Sequence, residues 1–229
     1  LCYRQLQSSV DDVISSLDKL IDEFPSTIEE RSDYFYKIRD LWNSNLDIES
    51  MTDEERSLRA AQMIFLNKTC FNGLFRVNRG GKFNVPTGRY KNPSFPSAES
   101  LKEVSQALQG VIIHHASYEK CLEWVDDKSF VYFDPPYRPL SKTSSFISYS
   151  KGDFNDDNQA ELASLTKELD KKSVFFLLSN SDPKNTVKDD EFFDDLYCDF
   201  KIERVFASRA INSDPDRRGK ISELLIRNY

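Results

Sequence analysis

The sequence predicts an α/β fold: a mostly parallel sheet covered on both faces, with an antiparallel pair at one edge, plus a small helical and β-hairpin subdomain. Three observations predict it. In the second half, short apolar runs such as Phe130-Val131-Tyr132-Phe133 and Val174-Phe175-Phe176-Leu177-Leu178 alternate with helical segments; strands apolar on both sides belong to parallel sheets sandwiched between helices. The first half repeats apolar residues at three-four spacing, as amphipathic helices do. Between the two lies a stretch rich in Asn, Gly, Pro, Arg and aromatics that lacks helical period.

The elements follow in order. Val10, Val13, Ile14, Leu17, Leu20, Ile21 and Phe24 give a helix over 9–24, with Asp11 and Asp12 in its first turn and Pro25 closing it. Tyr34, Phe35, Ile38, Leu41 and Trp42 mark a second over about 28–43. Thr52-x-x-Glu55 is a capping box that opens a third, through about Leu66. Gly80-Gly81, between Phe75-Arg76-Val77-Asn78 and Lys82-Phe83-Asn84-Val85, reads as a hairpin turn. Ser97 caps a short helix to about Leu108, which Gly110 ends. Val111–His114 reads as a short strand, and 130–133 as another that stops at Asp134-Pro135-Pro136. Asn155 caps a helix over 156–171, a buried strand covers 174–178, and a helix lies around 189–197. Residues 200–206 and 221–228 are two strands joined by a polar loop, hence the antiparallel edge pair. This suggests three parts: a linking helical part over 1–50, a hairpin-bearing subdomain over 51–98, and the strand-and-helix part over 99–229.

Composition narrows the function classes. With 229 residues and 39% hydrophobics the chain can bury a core, so wholesale disorder is excluded. No apolar run approaches the roughly 18–20 residues of a membrane span, and no basic-then-apolar leader opens the chain. Cys2, Cys70, Cys121 and Cys198 form no Cys-x-x-Cys pair, which argues for free thiols in a reducing cytoplasm rather than zinc or a disulfide framework. With histidines only at His114 and His115, no metal site is expected, and both read as packing or surface residues. None of the 7 glycines forms a Gly-x-Gly, so a Gly-rich nucleotide loop is absent from these residues.

Charge is unevenly spread. The net charge is −7, yet Arg56–Ala98 holds no Asp or Glu and carries Arg56, Arg59, Lys68, Arg76, Arg79, Lys82, Arg89 and Lys91. A basic island in an acidic protein is a candidate phosphate-contacting face. The alternative is a solvated loop that lacks acids.

Ser129–Tyr137 carries the chemistry. A strand ending in Asp134-Pro135-Pro136-Tyr137 sets a carboxylate, a rigid carbonyl and an aromatic ring at a strand's carboxyl end, where open α/β sheets bind ligands. The prolines fix the backbone and donate no N–H. An amino group on a planar base could give one hydrogen to Asp134 and the other to the Pro135 carbonyl, with Tyr137 stacked on the base. The alternative is a Pro-stiffened turn with a solvated Asp.

The stretch resembles the catalytic motif of amino-group DNA methyltransferases, in particular the Dam-like adenine-N6 class. The resemblance continues in Leu66–Asn78, Gly81–Pro86 and Gly88–Pro93, which look like that class's DNA-contacting region. It extends to Pro139-Leu140-Ser141, Ser145-Phe146, Leu178–Asp182, Arg209-x-Ile211-Asn212-Ser213 and Glu223–Ile226, in the family's order from about residue 58 onward. It implies a Rossmann-like methyltransferase sheet and transfer of a methyl group from S-adenosylmethionine to the N6 amino group of an adenine flipped out of double-stranded DNA, at a GATC-type site. Asp134, Pro135, Pro136 and Tyr137 would be catalytic, and Asp134, Ser117 and Tyr118 would meet the cofactor. Arg76, Asn78, Arg79, Lys82, Asn84, Arg89 and Lys91 would meet DNA. Phe75, Phe83 and Tyr90 would pack the hairpin or wedge between bases. A bacterial-type, nucleoid-associated cytoplasmic location follows.

Two departures stand out. The family's Phe-x-Gly-x-Gly-like turn and acidic strand end are not in these residues, so an N-terminal portion, or a companion polypeptide, is expected to supply them. Many members carry an acidic residue where Ser117 stands. Two other readings stay open: a catalytically incomplete DNA-binding fragment or half of a split enzyme, and methylation of RNA or of protein glutamine by related chemistry.

Overall fold

The computed structural model describes residues 1–44, 47–139, 154–208 and 220–229. Leu140, Ser141, Ser145, Phe146, Arg209, Ile211, Asn212 and Ser213 lie outside them. The chain divides into two compact units, Leu1–His115 and Ala116–Tyr229.

The first unit is helical. The helix expected over 9–24 is α2 (Val10–Asp22), and a further short helix that was not expected, α1 (Cys2–Ser8), precedes it, separated at Ser9, whose backbone leaves the helical region at φ −143°. α3 spans Ile28–Ser44. α4 (Asp53–Thr69) opens on the expected capping box: Thr52 Oγ1 accepts from the Glu55 N–H and Glu55 Oε2 accepts from the Thr52 N–H. α4 packs against α1, α2 and α3. Its Ala60, Ala61, Phe65 and Leu66 are wholly buried, and the two alanines let neighbouring helices approach. α5 (Ala98–Ala107) begins at Ser97, whose side chain accepts from the Ser100 N–H, and packs on α1 and α2.

The strand expected at Val111–His114 does not form, and Ile112 is 79% exposed. Helix α1 takes up the backbone carbonyls a strand partner would have used. Gln7 Nε2 donates to the Leu108 and Val111 carbonyls at 2.6 and 2.8 Å, and Arg4 donates to the Ile113 carbonyl at 2.8 Å. His114 and His115 lie at the surface.

The second unit holds a four-stranded mixed sheet of β1 (Phe130–Phe133), β2 (Phe175–Ser181), β3 (Lys201–Ser208) and β4 (Lys220–Arg227), in the order β1-β2-β4-β3. β1 pairs parallel with β2, and β4 runs antiparallel to both β2 and β3. The expected antiparallel pair, β3 with β4, is present. The antiparallel strand itself, however, is not at the edge, because β4 lies between β2 and β3. Among the described residues β1, β2 and β3 run the same way and β4 runs opposite to them, so the sheet is mixed, with one of its three adjacent pairings parallel. The register explains the placement: β4 sets Ile226 opposite Leu178 and Leu224 opposite Asn180, with all four side chains wholly buried. Leu224 and Ile226 gain by burial inside the sheet.

Phe176, Leu178, Leu224 and Ile226 share a core with Leu162 and Leu169 of α6 (Asp156–Lys171) and with Phe193 of α7 (Phe192–Leu196). α6 starts on the N-cap expected at Asn155, which Asn158 closes into a capping box that was not expected. The expected cover on both faces is not complete among the described residues, since Phe130, Tyr132 and Phe175 are each more than half exposed. Among the described residues no helix is long and apolar enough to cross a membrane, and no group of three His, Cys, Asp or Glu side chains gathers to hold a metal ion.

Candidate active site and nucleic-acid interface

Asp134 follows the last residue of β1, and the parallel register carries β2 alongside it. Alternation along a strand sends Tyr132 and Asp134 to one face. There they meet Ser179 of β2: Ser179 Oγ lies 3.1 Å from Asp134 Oδ1 and 3.0 Å from the Tyr132 hydroxyl. Asp134 is exposed and Tyr137 is 38% exposed, so both face solvent and are open to a ligand. Burial pushes the Tyr137 phenol up, against the pull of the Ser179 hydroxyl.

The backbone just beyond the two prolines is held by side chains from α6 and β2. Gln159 Nε2 donates to the Pro136 carbonyl at 3.1 Å, and its Oε1 accepts from Asn180 Nδ2 at 3.1 Å. Asn180 Oδ1 accepts from the Arg138 N–H at 3.1 Å, and Ser181 Oγ donates to the Arg138 carbonyl at 2.7 Å. Gln159 and Asn180 are wholly buried. The Arg138 side chain lies over the Phe192 ring and pairs with Asp156 at 2.8 Å and Asp190 at 2.9 Å. Sequence reasoning missed Gln159 and Arg138. Asn180 lay in a matched stretch, but its role was not legible there. Among the described residues none donates to the Pro135 carbonyl.

A cavity of about 270 Å3 opens here, lined by Tyr118, Tyr132, Asp134, Pro135, Pro136 and Phe154 among others. Tyr118 and Phe154 meet edge to face, 5.7 Å apart. Burial, with Glu119 and Glu161 beside it, pushes the Tyr118 phenol up to about 12. The aromatic walls fit a flat ring system, and the single carboxylate fits a cationic or N–H-donating group. Ser117 is exposed and outside the lining; it stands at the N-cap position of the 3-10 turn Tyr118–Glu123 without a side-chain cap, and its hydroxyl donates to Glu119, which keeps that carboxyl low. Of the three expected cofactor contacts, the structure brings Asp134 and Tyr118 together in the cavity but not Ser117.

In the first unit, residues 70–90 form the expected hairpin, pinned by antiparallel bridges at Val77–Phe83 and Cys70–Thr87. Asn78 builds its turn, with Oδ1 accepting from the Gly80 and Lys82 N–H groups. Arg76 Nε donates to Asn84 Oδ1 at 2.8 Å across the hairpin. Arg76, Asn78, Arg79, Lys82, Arg89 and Lys91 are exposed; Asn84 is half-buried. Two members of the basic island do not fit a phosphate-contacting face. Arg59 is only 6% exposed, donates to the Trp42 carbonyl at 2.6 Å and stacks on that ring, while Arg56 pairs with Asp53.

Of the three aromatics, Phe83 is buried against Trp42 and Phe75, while Phe75 and Tyr90 remain substantially exposed. Phe71 and Leu74 are exposed beside them. Tyr90 crosses the base of the hairpin, where its hydroxyl accepts from the Asn72 N–H at 3.0 Å. Asn72 sits at φ 54°, in the left-handed region that Asn tolerates. A larger cavity, about 550 Å3, lies beside this base and includes Phe24, Arg31, Tyr36, Arg89 and Tyr90.

A mixed α/β sheet with Asp-Pro-Pro-Tyr at a strand end, on one chain with a basic hairpin, marks an amino-group DNA methyltransferase. The family model for D12 class N6 adenine-specific DNA methyltransferase matches residues 1–211, and the chain belongs to that family. It is 49% identical over 231 residues to the Type II methyltransferase M.MjaIII of Methanocaldococcus jannaschii, covering all of this chain and 76% of that protein. It is 37% identical to the Type II methyltransferase M1.LlaDCHI of Lactococcus lactis subsp. cremoris, covering all of this chain and 75% of that protein. The DNA adenine methylase of Escherichia coli K12 is 35% identical, over 85% of this chain and 64% of its own length. In M.MjaIII the matched region lies within one longer chain, which gives no support to a separate companion polypeptide.

Proposed function

We propose that this chain places a methyl group on the N6 amino group of an adenine turned out of double-stranded DNA, with S-adenosylmethionine as the methyl donor. The observation that carries the reading is the end of β1: Asp134 beside the Pro135 carbonyl, with the following backbone held by Gln159, Asn180 and Ser181. Two acceptors at a fixed separation suit the two hydrogens of an exocyclic amino group. Drawing both hydrogens out of the ring plane leaves the nitrogen lone pair free to react. Tyr137 stacks on the base. The chain's contribution is mainly positioning.

The cofactor, when bound, supplies an electrophilic methyl group. Tyr118, Phe154 and Asp134 suit it: flat aromatic walls for its adenine and a carboxylate for its cationic part. Ser117 is assigned to it only at the rim.

Arg76, Arg79, Lys82, Arg89 and Lys91 are assigned to phosphates or guanine edges, and Asn78 and Asn84 to adenine edges or phosphates. Phe71, Leu74 and Phe75 are among the exposed apolar side chains of the same hairpin, suited to pack against unstacked bases. The resemblance of residues 66–93 to the Dam-like DNA-contacting region supports a GATC-type site, and a bacterial-type cytoplasmic, nucleoid-associated location.

The test is methylation of defined duplexes by the full-length protein with labelled S-adenosylmethionine, followed by product mapping. N6-methyladenine within GATC and not in permuted sites is the expected result. Methylation at another sequence would overturn the site assignment alone. Binding without any methyl transfer would return the chain to the class of DNA-binding fragments.

A further inference from the structure

We infer that Ser179, supplied by Tyr132, is the positioning residue that orients the Asp134 carboxylate for the amino group. The inference rests on the methyltransferase reading above and deepens it.

Ser179 Oγ has one proton. Its neighbours are Asp134 Oδ1 at 3.1 Å, the Tyr132 hydroxyl at 3.0 Å and the Tyr137 hydroxyl, and the carboxylate is the one among them that cannot donate. A carboxylate can only accept, so the serine proton belongs to Asp134, and the Tyr132 hydroxyl must then donate to Ser179. The chain therefore has a fixed direction: Tyr132 O–H to Ser179 Oγ, Ser179 O–H to Asp134 Oδ1. It fixes which carboxylate oxygen is occupied and leaves Oδ2 for the incoming N–H. An isolated Asp at a strand end rotates about χ1 and χ2 in water. Here the rotamer is set by a residue of the neighbouring strand, and strand pairing sets that residue in turn, with Phe133 opposite Leu178 just before Asp134 and Ser179.

The serine is 4% exposed, so little water competes for its proton. Tyr132 is 56% exposed, but its ring lies in the cavity wall and its hydroxyl ends at Ser179. Its stacking surface and its hydrogen bond can thus be tested apart.

The experiment uses the full-length enzyme on duplexes with the mapped site. Ser179→Ala should lower kcat about tenfold or more, the scale of one hydrogen bond to a charged group, with KM for DNA and cofactor within about twofold. Ser179→Thr keeps the donor and should restore most of kcat. Tyr132→Phe keeps the ring and should lower kcat in the same direction by less. A duplex with 2-aminopurine in place of the target adenine lacks the N6 amino group. Its fluorescence on binding should be the same for wild type and Ser179→Ala, which a collapsed site would not produce. Unchanged kcat in Ser179→Ala, a loss confined to KM, or no recovery in Ser179→Thr would each overturn the assignment. Should Ser179→Ala fail to fold, an unchanged kcat in Tyr132→Phe overturns it instead. An inactive wild type would refute the methyltransferase reading itself, an outcome distinct from all of these.

Discussion

Asn43 and Phe83 are joined at two points: Asn43 Nδ2 donates to the Phe83 carbonyl at 3.0 Å, and Asn43 Oδ1 accepts from the Phe83 N–H at 2.8 Å. One side-chain amide near the end of α3 thus stands in for a strand and ties the basic hairpin to the helical unit. Asn43→Ala should cost about 1–3 kcal/mol, because it leaves two backbone groups of a buried residue unpaired. Hydrogen exchange at the Phe83 amide and DNA affinity would report it. Unaltered protection at Phe83 would mean that ring packing on Trp42 alone holds the hairpin.

Asp134→Ala in the full-length enzyme should abolish methyl transfer while leaving salt-sensitive DNA binding largely intact. Filter binding at two salt concentrations beside a transfer assay checks both halves. Loss of binding together with transfer would move Asp134 from chemistry to DNA contact.

Arg76→Ala and Arg89→Ala should weaken DNA binding in different ways. Arg76 is already oriented by Asn84, so it suits a base edge; its loss should relax specificity at one position by roughly 1–3 kcal/mol. Arg89 is exposed at the hairpin base and suits a phosphate, so its loss should weaken all sequences alike and lower the salt slope by about one. Competition with single-position variants of the site distinguishes them.

Gly88→Ala should displace Tyr90. A Cβ at residue 88 would fall 2.4 Å from the Tyr90 ring and 2.8 Å from the Cys70 carbonyl, and that carbonyl is backbone and cannot swing away. A cost of about 1–3 kcal/mol in thermal unfolding is expected. Combining it with Tyr90→Ala should recover only the part due to the ring.

Acid should weaken the second unit through Asp190. Burial raises its carboxyl, but hydrogen bonds from Arg138 and the Phe192 N–H outweigh that and hold it below the usual range. A carboxyl depressed in the folded state stabilises above its unfolded value, near pH 4, and that contribution is lost as pH falls through the lower folded value. Asp190→Asn should therefore flatten the acid limb of stability against pH and leave its shape near neutrality unchanged.

What was legible in the sequence was what is local. The Thr52–Glu55 box, the Asn155 cap and the Gly80-Gly81 turn each lie within a few residues, and each is found where expected. α1 was missed because seven residues ending at Ser8-Ser9 give too few turns for a period. Val111–His114 looked like a strand because apolarity was visible, whereas the α1 side chains that take its carbonyls lie about a hundred residues away in sequence. The strand order was hidden for the same reason, since nothing in residues 220–227 states that they insert beside 177–181. In the site, the motif gave Asp134 to Tyr137, but Gln159, Asn180 and Ser179 act through contacts across strands and helices. Arg59 was read as surface charge because its position on the buried face of α4 is a matter of packing.

The place of β4 also sets a timetable for synthesis. Residues 175–181 and 201–208 leave the ribosome before the strand that separates them exists, so the Leu178 edge of β2 must wait 48 residues for Ile226. During that interval an apolar strand edge is open to any passing chain. Folding of this unit should consequently be late and all at once, and a nascent chain stalled before residue 220 should bind holdase chaperones that the finished protein ignores.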